Sequence, residues 1–186
     1  MTQSQVFEPD GRAVPYFDEG HGDGPSLALI AGTAVEGAAL GSIAHILEGE
    51  GYRVLRVGAR SGGAATRDEQ VADALAVMEH VGLGGAWIGG YGSGGTVARA
   101  VVAQRPSLGL LLLGVEDEDI ALPPAIPVLI VQGSDDDAMP PGNGERLRAA
   151  APERVSVVTV AGAGHMFPVT HPVETAFAIE DYLAWD

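Results

Sequence analysis

Three stretches of this sequence hold residues that could do chemistry together. Gly133-Ser134-Asp135-Asp136-Asp137-Ala138-Met139-Pro140 follows the apolar run 128–132. Ala161-Gly162-Ala163-Gly164-His165-Met166-Phe167-Pro168 follows the β-branched run 155–160. Earlier in the chain, Gly89-Gly90-Tyr91-Gly92-Ser93-Gly94-Gly95 lies between apolar Ala86-Trp87-Ile88 and an Ala/Val-rich tail. A turn that exposes a hydroxyl, then an acid, then a histidine is the chain order of a hydrolytic triad. In that machine the histidine deprotonates the nucleophile while the acid fixes the imidazole tautomer.

The glycine turn admits more than one use. Five glycines in seven residues permit positive φ and let strand and helix backbones nearly touch. The turn therefore offers N–H groups at a helix start, where negative charge is favoured. A nucleophile elbow centred on Ser93 lacks its first glycine, since position 91 is tyrosine. Shifted by one residue the glycines fit as Gly90-x-Gly92-x-Gly94, which puts Gly92, without a side chain, in the nucleophile's place. A dinucleotide fingerprint is the alternative, because Gly90-x-Gly92-x-x-Gly95 follows a strand and Glu116 lies about twenty residues on. A phosphate-binding P-loop is excluded, because the chain has no lysine.

Composition narrows the choice. With 186 residues and 46% hydrophobic content, a single domain over 1–186 with one sizeable core is expected. No cysteine is present, which removes disulfides, thiolate zinc sites and a cysteine nucleophile. The absence of lysine removes Schiff-base chemistry. A formal net charge of −15 argues against nucleic acid and anionic membranes. No stretch is apolar enough to cross a membrane, and Met1-Thr2-Gln3-Ser4-Gln5 lacks the blocks of a signal peptide. A cytoplasmic protein without cofactor or metal is expected, whose partner is a small molecule, neutral or cationic.

The elements that must position these residues alternate. An Asp-Gly turn within 6–17 predicts an N-terminal hairpin. Strands are expected at 27–31, 52–57, 85–90, 108–115, 128–132 and 155–160, most of them continuous apolar runs of the kind buried on both faces. Helices are expected at 37–50, 67–81, after the glycine turn to 104, at 144–151 and at 172–185. Loops are assigned to 20–25, 59–66 and 161–170. The fold class is α/β: a doubly wound, mostly parallel sheet in three layers, with helices on both faces.

On these motifs the chain resembles the α/β-hydrolase superfamily over nearly its whole length. The run Pro127 to Gly133 followed by Asp136 and Pro140 is similar to the family's acid loop, and Gly162-Ala163-Gly164-His165 to its histidine loop. Ile30-Ala31-Gly32-Thr33 takes the place of its oxyanion strand end. The cap usually inserted after strand 108–115 is replaced by residues 116–126, which implies a minimal, lidless member. The resemblance implies Asp136 and His165 as catalytic acid and histidine, and Gly92 at the nucleophile position with Ser93 as alternative nucleophile. It also implies the backbone N–H groups of Thr33 and Ser93 as oxyanion donors, and Tyr91, Met139 and Met166 around the pocket. The function expected is hydrolysis of a small ester-like substrate by an Asp136–His165 pair. The alternatives are an inert small-molecule-binding or regulatory protein, or a dinucleotide-binding protein. A Gly92→Ser change would then set a hydroxyl beside His165, over the N–H groups of Thr33 and Ser93. The acidic run 116–119 leaves its strand on the same sheet edge as His165, so negative potential is expected there.

Overall fold

The computed structural model describes residues 3–21, 24–60 and 65–184. Its centre is one eight-stranded sheet built from β1 (Gln5–Phe7), β2 (Val14–Glu19), β3 (Ser26–Ala31), β4 (Arg53–Val57), β5 (Ala86–Tyr91), β6 (Gly109–Leu113), β7 (Val128–Gly133) and β8 (Val155–Val160). The spatial order is β1-β2-β4-β3-β5-β6-β7-β8. The pairs β1–β2 and β2–β4 are antiparallel, and every other pair is parallel. The expected N-terminal hairpin is β1 and β2, with a 3-10 turn at Pro9–Gly11 between them.

Apolar alternation along the strands feeds two cores. Leu27, Leu29 and Ala31 face one side of the sheet, packing with α1 (Ala34–Gly49) and α6 (Pro172–Leu183). Ala28 and Ile30 face the other, with α2 (Arg67–His80) and α3 (Ser93–Val102). Both faces are covered, which is why these strands read as unbroken apolar runs. The helix α4 (Gly142–Ala150) follows the acid loop. The connection between β6 and β7 contains neither helix nor strand, so no cap domain stands over the sheet. Among the described residues, no helix is long and apolar enough to cross a membrane.

Several boundaries differ from those the sequence suggests. α1 starts at Ala34 rather than 37, because Thr33 and Glu36 close a reciprocal capping box on its first turn. The segment 161–170 is not all loop: α5 (Phe167–Thr170) forms a single turn, with Phe167 fully buried at its start. The glycine-rich loop at 59–66 falls partly outside the described residues, at 61–64, as do part of the loop 20–25 and position 185.

The strand order positions the site. After β3 the chain crosses to β4 on one side, then returns to β5 on the other. The carboxyl ends of β3 and β5 thus flank a topological switch point, the place where open α/β sheets bind ligands. Helix α1 leaves from one of these ends and α3 from the other.

Candidate active site

One residue turns the chain from β5 into α3. β5 ends at Tyr91 and α3 begins at Ser93, so Gly92 carries the whole reversal with φ 59° and ψ −124°. Its N–H donates to the Leu113 carbonyl at 2.9 Å, and its own carbonyl accepts from Gly95 N–H at 3.0 Å. Glycines on either side let the backbones meet: a Cβ on Gly90 would overlap the Gly94 carbonyl, and one on Gly94 would overlap the Ile30 oxygen. Gly92 is therefore the apex of the turn, with Gly90 and Gly94 at the close backbone contacts on either side of it.

The acid and histidine loops meet beside this turn. His165 Nδ1 lies 3.1 Å from Asp136 Oδ2. The Asp136 side chain is fully buried, whereas that of His165 is 32% exposed. The other Asp136 oxygen accepts the N–H groups of Ala138 at 3.0 Å and Met139 at 2.8 Å, so the carboxylate is held from two sides. Donation by Nδ1–H to Asp136 leaves Nε2 as the ring's free acceptor. Among the described residues no hydrogen bond joins His165 to Ser93.

A second carboxylate, which the sequence reading did not single out, occupies the switch point. Glu36, in the first turn of α1, is 9% exposed. Its Oε2 accepts the N–H of Gly32 at 2.8 Å and of Thr33 at 3.0 Å. Its Oε1 accepts the N–H of Ser93 at 2.9 Å. The Ser93 hydroxyl stands 2.8 Å from Oε1 and 2.9 Å from Oε2. The charge is thus met by N–H and O–H groups at two helix N-termini, the favourable place for an anion. The pattern Thr33-x-x-Glu36 is a capping-box signature visible in the sequence. That signature marks where α1 begins; it does not announce the contact with Ser93, 57 positions away.

The remaining residues fall as follows. Met139 packs its methyl against the apex, 3.3 Å from where a Gly92 Cβ would stand. Met166 is 39% exposed, at the rim. Tyr91, expected to line the pocket, is instead a core residue, 1% exposed, because it ends a strand whose faces are both covered. Its hydroxyl donates to the His165 carbonyl at 2.7 Å, which supports the histidine loop from below. Burial pushes its phenol well above the ordinary tyrosine value, with the charges of Asp136 and Glu36 adding to the shift. Thr33 and Ser93 both aim their N–H groups at one point, and Glu36 fills that point. A serine at position 92 would therefore meet Glu36 Oε1, 2.6 Å from its Cβ, before it found free donors.

The acidic run is largely engaged within the protein. Glu116 accepts from the Thr96 hydroxyl, Asp117 pairs with Arg146, and Glu118 with Arg67 at 3.2 Å. Glu116 and the Ser93 N–H, the groups a dinucleotide would call on, thus each have an internal partner. Among the described residues, no cluster of three or more His, Asp or Glu side chains could hold a metal ion.

No protein-family model matches the sequence, and no curated protein does. Solved structures do. An epoxide hydrolase of the alpha/beta hydrolases superfamily, from metagenomes of hot environments, superposes with a TM-score of 0.81 at 16% identity, covering 98% of this chain and 99% of that one. A thermophilic esterase from Thermogutta terrifontis gives 0.80 at 18% identity, covering 98% of each chain. An alpha-beta serine hydrolase homologue from Coxiella burnetii gives 0.78 at 20% identity, covering 95% of this chain and 96% of that one. The chain has the α/β-hydrolase fold, in a form without a cap.

Proposed function

We propose that the protein is a hydrolase-like enzyme of a small, neutral or cationic ester-like substrate, in which Asp136 and His165 act as a general-base pair on water. The observation that carries this reading is the 3.1 Å contact of His165 Nδ1 with buried Asp136, set beside a turn whose apex has no side chain. Asp136 holds the ring so that Nε2 faces outward as the base. A water placed over Gly92 gives its proton to Nε2 as its oxygen attacks the substrate carbonyl, and the imidazolium returns the proton to the leaving alcohol. No covalent enzyme intermediate forms. The negative charge of Glu36 at the floor of the site disfavours anionic substrates. The hydrolase and esterase neighbours on the same fold support the reaction class.

A second reading, a non-catalytic small-molecule-binding protein, is favoured by one observation: the N–H groups of Thr33 and Ser93 are both occupied by Glu36. Hydrolysis of small activated esters separates the two. Under the first reading, His165→Ala lowers kcat by about 10²–10⁴-fold, the usual worth of a positioned base, while Ser93→Ala remains active. Absence of any turnover that depends on His165 selects the second. Activity lost with Ser93→Ala, together with covalent labelling of Ser93, would return the nucleophile to that serine.

A further inference from the structure

We infer that Glu36 is a built-in ligand of the oxyanion cradle, which keeps covalent acyl transfer shut in this chain, and that shortening its side chain opens the cradle to a small carboxylate. The inference rests on reading the β3 end and the Gly92 turn as the oxyanion site. Three backbone N–H groups, from Gly32, Thr33 and Ser93, and the Ser93 hydroxyl converge on one carboxylate. They come from two helix N-termini on opposite faces of the sheet, and they meet where its strand order reverses. Acyl transfer needs N–H donors for the oxygen that becomes negative. Here those donors already hold a full negative charge, and a second anion beside it is repelled.

The apex residue fits the same arrangement. Glu36 Oε1 stands 2.6 Å from the Cβ that Gly92 lacks, closer than an unstrained Cβ contact allows. A side chain at 92 therefore requires the carboxylate of residue 36 to move off the Ser93 N–H and hydroxyl. Glycine at one position and glutamate at the other form a matched pair, and Gly32 completes it, because a Cβ there would overlap the Ser93 hydroxyl. With Glu36 shortened, the donors are left facing a space shaped for the end of a carboxylate, and acetate is the ligand that reproduces it.

Four variants test this: Glu36→Ala, Glu36→Gln, Gly92→Ser and the double Gly92→Ser/Glu36→Ala. Melting is followed in sodium acetate and in sodium chloride of equal ionic strength. Acetate should raise the melting temperature of Glu36→Ala by several degrees, through binding to the folded state alone, and leave wild type unmoved. Glu36→Gln keeps the shape but turns an amide NH2 against backbone donors, so it should melt well below wild type. A Glu36→Gln protein as stable as wild type, or a Glu36→Ala protein indifferent to acetate, overturns the inference. If Glu36→Ala folds only when acetate is present, the carboxylate site stands.

Labelling with a serine-directed phosphonate is the second readout. The double variant should react about 100-fold faster than Gly92→Ser, the scale of freeing an oxyanion donor. Equal rates overturn the blocking role. Acetate binding without any labelling of the double variant keeps the carboxylate site and removes the acyl-transfer machine around it. That result is independent of whether wild type hydrolyses esters through His165.

Discussion

Replacing Gly92 by alanine should be far more costly in wild type than in a protein that lacks the Glu36 carboxylate. Two effects add. The backbone at 92 has φ 59° and ψ −124°, and a side chain held in such a region is strained by about 1–3 kcal/mol. The new Cβ would also lie 2.6 Å from Glu36 Oε1, so the carboxylate must withdraw. It then gives up the Ser93 N–H at 2.9 Å and the Ser93 hydroxyl at 2.8 Å. A hydrogen bond to a charged group contributes about 1.5–3 kcal/mol, and rescue through Oε2 or water brings the loss for both to about 2–4 kcal/mol. In a Glu36→Ala background only the backbone strain remains, so the double-mutant cycle should show a coupling of about 2–4 kcal/mol, the hydrogen-bond loss alone. Independent sites add to within about 0.3–0.5 kcal/mol. Urea unfolding of wild type, both single variants and the double supplies the four free energies. Additivity within that margin would refute the exclusion of a position-92 side chain by Glu36.

Two further outcomes follow from residues beneath the site. Phe167→Ala removes a fully buried ring that packs edge-on to Tyr91 at 6.0 Å, so chemical denaturation should show a loss of about 3–5 kcal/mol; a loss near zero would mean that α5 does not anchor the histidine loop. Tyr91→Phe tests the raised phenol. Because the folded state keeps this proton above the value near 10 at which an unfolded tyrosine releases it, the tyrosine's contribution is whole below that pH and declines as pH rises through the folded value. The stability advantage of wild type over Tyr91→Phe should therefore hold below about pH 9 and shrink as pH rises above about 10, where the unfolded phenol ionises first, when both are unfolded in urea. A constant gap would show that the phenol is not shifted.

Local order in the chain was enough for much of this protein. Runs such as 27–31 and 128–132 declare strands covered on both faces, because a strand with a wet face cannot be apolar at every position. The glycines at 90, 92 and 94 mark a sharp turn, since glycine allows the positive φ at Gly92 and the close approach of Gly94 to Ile30. Asp136 and His165 were legible as candidates because each directly follows a strand, and strand ends share one edge of a parallel sheet. What sequence could not supply is the partner of Glu36. Thr33-x-x-Glu36 is a local signal, and local signals stop at the helix they cap. That the same carboxylate also closes the start of α3 depends on β3 lying next to β5 although β4 comes between them in the chain. Only that strand order, set by non-local pairing, brings two helix starts to one point. Tyr91, which the resemblance puts around the pocket, is likewise placed by tertiary structure: it ends a strand covered on both faces, and its ring lies in the core.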